Sequence, residues 1–212
     1  MKPAYKQNDF AQIMKGRRSI RKYDETVKIS KEEMKSILED ATTAPSSVNM
    51  QPWRFVVVES DEAKAKLQPL VRSNQLQLET SAAMIVIFGD MDSIEMAEKI
   101  YGTAVERGWM PAEVKERQIG WITPLYKDMP KQKKTEIVLI DGGLVAMQLM
   151  LTARAYGYDT NPIGGFDRDH IAAALELDPE RYYPVMIISI GKAAEEGFQS
   201  ARLPVEDIAT WK

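Results

Sequence analysis

The sequence predicts an α+β or α/β protein built on a compact sheet. Three runs read as strands: 53–59 (WRFVVVE), 83–88 (AMIVIF) and 184–190, each rich in aromatic or β-branched residues. Many segments with helical spacing separate them, so helices must cover the sheet. At 212 residues, with 44% hydrophobic and 28% charged, the chain can bury one substantial core. A single domain over 1–212 is expected, and the pattern leaves strand order open.

Taken in order, Asn8 caps a short helix reaching Lys15, with Phe10, Ile13 and Met14 on one face. Ser30 and Glu33 form a capping box for a second helix, in which Met34, Ile37, Leu38 and Ala41 recur at helical spacing; Pro45 stops it. Asp61 caps a helix after the first strand, and a further helical piece spans 74–80. The strand at 83–88 is apolar throughout, as an interior strand is, and ends at Gly89-Asp90. Asp92 with Glu95 opens another helix by the same capping logic. From 107 to 134 the pattern loosens into a helical excursion or lid. Its Trp109, Trp121 and Tyr126 either stack on flat substrates or serve ordinary packing.

The longest helix is expected over 135–156. It is apolar nearly all round, which places it centrally or in an oligomer interface. Asp141, Gly142, Gly143 and Gln148 interrupt its apolar run, which falls short of the ~20 clean residues that span a bilayer. A buried helix ended by Gly157 is the expectation. A Gly/Pro-rich loop follows at 161–165, Asp167 caps a helix to Leu175, and the tail over 195–212 reads as an extended arm.

Composition excludes several functions. A net charge of −3 argues against nucleic-acid binding, which needs a basic surplus. The absence of cysteine rules out disulfides, thiolate metal sites and a cysteine nucleophile, and suits a reducing cytoplasm. Residues 1–10 are polar and lack the apolar run of a signal peptide. The only histidine, His170, lies in the first turn of its helix as a capping or surface group, so no zinc site is expected. No Gly-x-Gly-x-x-Gly follows a strand and no Gly-x-x-x-x-Gly-Lys-Ser/Thr occurs, which removes dedicated Rossmann and P-loop sites.

Two segments carry chemistry. Arg17, Arg18, Ser19 and Arg21 gather guanidinium groups and a hydroxyl, the donors that match a phosphate dianion. On a helix, residues 17 and 21 would share a face. The other reading is a solvated patch favouring the negative end of the preceding helix. The second segment, PSSVNMQPW over 45–53, strings small hydrogen-bonding side chains between prolines. It suits the hydroxyls and edges of a polar heterocyclic ligand, or equally a helix C-cap and turn.

Together these motifs resemble the FMN-dependent nitroreductase family, in which an Arg-x-Ser cluster after the first helix precedes a Pro-Ser-Ser-x-Asn-x-Gln-Pro-Trp loop. The likeness continues through Pro162-Ile163-Gly164-Gly165-Phe166, Gly191-Lys192 and Arg202-Leu203-Pro204, nearly the whole chain. It implies a nitroreductase-like α+β fold: a compact mixed or antiparallel sheet, a long central helix at a homodimer interface and an extended C-terminal arm. It implies that Arg17, Arg18 and Ser19 form the FMN phosphate site, joined by Arg202 and Lys192, with Arg21 at the N1/C2=O edge of the ring. Pro45, Ser46, Ser47 and Asn49 would come from the partner subunit, and Gln75 would meet the pyrimidine edge. The backbone of Pro162, Ile163, Gly164 and Gly165 would approach N5. Many members carry an acidic residue where Gly164 stands, and a second basic residue where this chain has Ser200-Ala201.

The implied activity is oxidoreduction by ping-pong: hydride from NADH or NADPH to FMN, then to a nitroaromatic or quinone. No side chain is required as a general acid, so none is named catalytic. The alternatives are a flavin reductase or dedicated metabolite reductase on the same fold, or a protein that binds FMN or phosphate ligands without turnover.

Overall fold

The structure, a computed structural model, describes residues 4–212; residues 1–3 of the polar start lie outside them. Helix α1 (Phe10–Gly16) begins at Asp9 rather than Asn8, because the Asp9 carboxylate accepts from the Gln12 N–H. Helix α2 (Lys31–Ala41) opens with Ser30 Oγ accepting from Glu33 N–H at 3.1 Å. Glu33 does not complete the box: its carboxylate accepts from the Tyr158 hydroxyl at 2.7 Å.

A single 3-10 turn at Ser47–Asn49 leads into strand β1 (Trp53–Val58). Helix α3 (Asp61–Leu67) is capped by Ser60, one residue before the expected Asp61. After α4 (Gln75–Thr80), strand β2 (Ala83–Asp90) is buried along its whole length, as expected of an interior strand. At Asp92 the expected cap makes no side-chain bond, and a 3-10 turn at Ser93–Met96 precedes α5 (Ala97–Glu106).

The loosely patterned region resolves into α6 (Ala112–Lys127) and the start of α7 (Lys131–Ala155). Tyr126 is buried in a small cluster with Met50, Tyr101 and Ile122, whereas Trp109 and Trp121 are exposed. Of the three aromatic residues, only Tyr126 serves ordinary packing within the chain. Strand β3 (Asp159–Ile163) follows, then α8 (Ile171–Ala174), β4 (Tyr182–Gly191) and α9 (Val205–Ile208) in the tail.

The sheet order is β1-β2-β4-β3, with every neighbouring pair antiparallel. Strand β3 occupies the stretch read from sequence as a loop. Its Pro162 lacks an N–H, which an edge strand tolerates because its outer side carries only a single bridge, at Thr160. Alternation along β2 divides the core. Ile85 and Ile87 join α2 and α7 on one side, while Met84, Val86 and Phe88 join Leu67, Leu78 and Ile171 on the other.

Helix α7 has 25 residues, four of them before the expected start, and Gly157 ends it at φ +85°. It is long and apolar enough to cross a membrane by length and composition. Its buried residues Val138, Asp141, Val145, Leu149 and Ala153 nevertheless belong to the protein core. At Gly142 the helix meets β4 so closely that a Cβ would lie 2.7 Å from Val185 Cγ1.

Candidate functional site

Arg17 closes α1 with extended dihedrals, φ −62° and ψ 130°, so the basic segment continues as extended chain rather than helix. Ser19 forms a parallel bridge with Thr160 of β3, and Ile20 N–H donates to Thr160 O at 3.1 Å. The period is therefore two, not 3.6. Arg17, Ser19 and Arg21 alternate with Arg18 and Ile20, and the latter pair packs against Gly197. Arg18 Nη1 donates to Lys15 O and Arg17 O at 2.8 and 2.9 Å, so backbone carbonyls hold that end of the guanidinium.

Ser19 and Arg21 line a cavity of about 550 Å³, with the 161–165 segment along one wall and Ser73, Asn74 and Gln77 along another. Within that wall Pro162 and Ile163 end β3, and Gly164 and Gly165 follow it. A Cβ on Gly164 would meet nothing within 4 Å, and one on Gly165 only Ser73 Oγ at 3.9 Å. No contact within the chain requires glycine at either position. Their effect is to leave the backbone bare toward the cavity.

Arg17 is the most perturbed cation of the cluster. Its Nη1 is buried and has no hydrogen-bond partner. Burial, followed by repulsion from Arg202, Arg18 and Arg154, pushes its pKa down from the ordinary arginine value. Buried donors are normally satisfied, so an orphaned guanidinium nitrogen among four arginines marks a place for an anion. Arg202 lies in the tail, exposed, with Nη1 turned to Ser200 and Ala201. Lys192 is exposed and 3.4 Å from Gly157 O.

Sequence reasoning missed Arg154, on the last turn of α7, which pairs with Asp159 and has a buried Nε without a partner. The signal was a lone cation near the end of an otherwise apolar helix. Asn161, Asn74 and Gln77 were missed as well. The structure does not bring Gln75 to this cavity: its amide donates to Gln68 O and Val71 O and faces a different hollow. Gln77, two residues on, stands there instead, donating to Asn74 Oδ1 at 3.1 Å.

The 45–51 segment lies apart from this cavity within one chain. Ser46 Oγ accepts from Gln51 N–H at 3.0 Å. Ser47 donates its N–H to both Asp141 oxygens, at 3.1 and 3.0 Å, and its hydroxyl to Oδ1 at 3.3 Å. Burial raises the Asp141 pKa and the Ser47 bonds oppose the shift. Val48, Asn49 and Gln51 all have positive φ, at 43°, 56° and 47°, although none is glycine. Such backbone persists only where its surroundings over-determine it, and the Tyr101 hydroxyl donating to Val48 O at 2.8 Å is one restraint. Pro45 and Asn49 are exposed at the ends of this segment. On neighbouring α7, Ile140, Leu144 and Met147 form an exposed apolar stripe.

The cluster of Arg17, Arg18, Arg154 and Arg202 thus adjoins the segment that carries Ser19 and Arg21 to a polar cavity walled in part by Gly164 and Gly165. The chain belongs to the nitroreductase family, whose model matches residues 14–192. It is 62% identical over 207 residues to a Bacillus subtilis (strain 168) protein provisionally named NAD(P)H nitroreductase YdgI, covering 98% of this chain and 99% of that one. It is 39% identical to the CLA biosynthesis enone reductase of Lactiplantibacillus plantarum, covering 92% of this chain and 90% of the other. Among solved structures, a provisionally named nitroreductase of Exiguobacterium sibiricum 255-15 in complex with FMN superposes with a TM-score of 0.95. That pair shares 57% identity over 100% of both chains. The fold is thus nitroreductase-like, with a wholly antiparallel four-stranded sheet.

Proposed function

We propose that the chain is an FMN-dependent NAD(P)H oxidoreductase that works as a cytoplasmic homodimer, with residues 1–212 forming one domain. The observation that carries the reading is the buried Nη1 of Arg17, without a partner among the described residues, close to Arg202, Arg18 and Arg154 and two residues before Ser19 on the cavity wall. The residues present fit the cofactor. Arg17 and Ser19, with Arg202 and Lys192, would hold the phosphate by charge-assisted bonds. Arg18 and Arg154 add positive potential from behind.

Arg21, on the cavity wall, would place a cation beside the N1/C2=O edge, where negative charge accumulates on reduction. Asn74 and Gln77 would supply amides that the sequence assigned to Gln75. Pro162, Ile163, Gly164 and Gly165 would present backbone close to the ring plane. Pro45, Ser46, Ser47 and Asn49 would reach the site from the partner subunit, across an interface formed by the exposed stripe of α7. When bound, FMN supplies reversible hydride chemistry between a nicotinamide and an electron-poor acceptor such as a nitroaromatic or quinone. The chain's own part is to bind, orient and exclude water.

Reduction of a dedicated enone or similar metabolite is a second reading, favoured by the enone reductase at 39% identity. Anaerobic titration of the purified holoprotein tests both readings. NADH or NADPH should bleach the flavin, and a nitroaromatic, quinone or enone should restore it. Colourless protein that cannot be reconstituted with FMN would overturn the assignment.

A further inference from the structure

A second cavity, of about 460 Å³, opens between α5 and the strained turn that contains Asn49 and Gln51. One face of α5 and the residues that flank it build it: Lys99, Ile100 and Thr103 on the helix, with Met96 just before and Arg107 just after, recur at three- and four-residue spacing along its wall. The floor is apolar, from Met50, Met96 and Ile100. No carboxylate lines the cavity, although the chain as a whole is acidic at −3.

Three cations do line it, and their commitments differ. Arg54 is used internally, with Nη2 donating to Asp90 at 2.7 Å and Nη1 to the Gln51 and Trp53 carbonyls. Among the described residues, Lys99 and Arg107 join no ion pair. The Arg107 guanidinium lies 4.9 Å over the ring of Trp109, which also lines the cavity. The neighbouring acid Glu98 is taken by Lys115 at 2.5 Å. An apolar lining with two cations that join no ion pair among the described residues suits a flat amphiphile with one negative end.

We propose that this cavity receives the anionic end of the electron acceptor, so that the enzyme favours flat, apolar acceptors bearing a carboxylate. The inference rests on the proposed function, because Asn49, which lines the cavity, is the residue assigned there to the partner's flavin. The opposite wall is preformed: the bond from Tyr101 to Val48 O and the grip of Asp141 on Ser47 hold the turn in its strained shape. Thr103, between Lys99 and Arg107 on the helix face, donates its hydroxyl to Lys99 O at 2.7 Å, which leaves the two cations as the charged donors there.

The test compares 4-nitrobenzoate with nitrobenzene as acceptors for the FMN-loaded protein, in wild type and in the single and double variants Lys99→Gln and Arg107→Gln. The double variant should raise KM for 4-nitrobenzoate about tenfold, the effect of two partly exposed charge-assisted contacts, and leave that for nitrobenzene unchanged. A second readout does not depend on turnover. Quenching of Trp53 and Trp109 fluorescence by 4-nitrobenzoate on the oxidised protein should weaken by the same factor, and more so at low salt. Flavin content and circular dichroism equal to wild type show that the variants fold.

Equal changes for both acceptors, or none for either, would overturn the proposal. So would an effect confined to KM for NADPH and absent with NADH, which would assign the cations to the nucleotide phosphate. If no acceptor is reduced, the oxidoreductase reading fails, while the quenching titration still decides whether the cavity selects carboxylates.

Discussion

At the scale of single residues, Arg17 and His170 make opposite cases. Arg17 is partly buried with a donor that nothing among the described residues satisfies, the condition in which removal affects a ligand more than the fold. Arg17→Ala should weaken FMN ten- to a hundredfold, by about 1.5–3 kcal/mol for a lost bond to charge, and riboflavin far less, because riboflavin has no phosphate. Flavin fluorescence titration measures both, and equal losses would remove Arg17 from the phosphate site. His170 is exposed and satisfied. Its Nδ1 lies 2.9 Å from both Asp167 oxygens, and that bond raises its pKa above the ordinary 6.5. The contribution is therefore full between the ordinary Asp and His values, about pH 4 to 6.5; it is lost as pH rises through the raised His170 value and as pH falls through the lowered Asp167 value. As the only histidine, its NMR signal is unambiguous, and Asp167→Asn should return its midpoint toward 6.5.

At the scale of elements, α7 joins the parts of the site. Its buried face carries Asp141 to the 45–51 segment, and its last turn carries Arg154 to Arg17. Asp141→Ala leaves the Ser47 N–H without an acceptor, costing about 1–3 kcal/mol. Because this segment is assigned to the ring and ribityl chain, riboflavin and FMN should lose affinity equally, unlike the response to Arg17→Ala. A selective loss of FMN would show that the segment acts elsewhere. The same helix approaches β4 through Gly142, where an added Cβ would stand 2.7 Å from Val185. Gly142→Ala should destabilise the protein by about 1–3 kcal/mol through overpacking, seen as a lower unfolding temperature. An unchanged melting curve would mean that helix and sheet part without cost.

At the scale of the whole molecule, the site is proposed to be complete only when two copies meet. The outward stripe of α7, with Ile140 at 63% exposure, is too large and apolar to be explained by single scattered side chains. Ile140→Lys should yield monomers by sedimentation and release FMN together with the dimer. A monomer that keeps full FMN affinity would show that Pro45, Ser46, Ser47 and Asn49 do not act across the interface. Phe198, Ile208 and Trp211 of the tail are exposed in the single chain as well.

The sequence by itself determined most of the elements and the family. Strands β1, β2 and β4, the long apolar helix and its glycine stop were legible because periodicity and local punctuation encode them. Capping was legible to within one residue at Ser60 and Asp9, where adjacent polar side chains compete for the same N–H groups, but not at Asp92, which makes no capping bond, nor at Asp167, since α8 starts only at Ile171. Strand β3 was not legible: Pro162 signals a loop unless the chain is known to lie at a sheet edge. Nor did sequence decide which arginines face the cavity. That depends on whether the segment after α1 is helical or extended, and pairing of Ser19 with Thr160, 141 positions away, settles it. Tertiary structure alone placed Gln75 away from the cavity, Gln77 on its wall and Arg154 near Arg17, and turned Ser47 toward Asp141. The reason is common to all four: local sequence sets the conformation a segment prefers, whereas long-range packing sets the direction in which each side chain points.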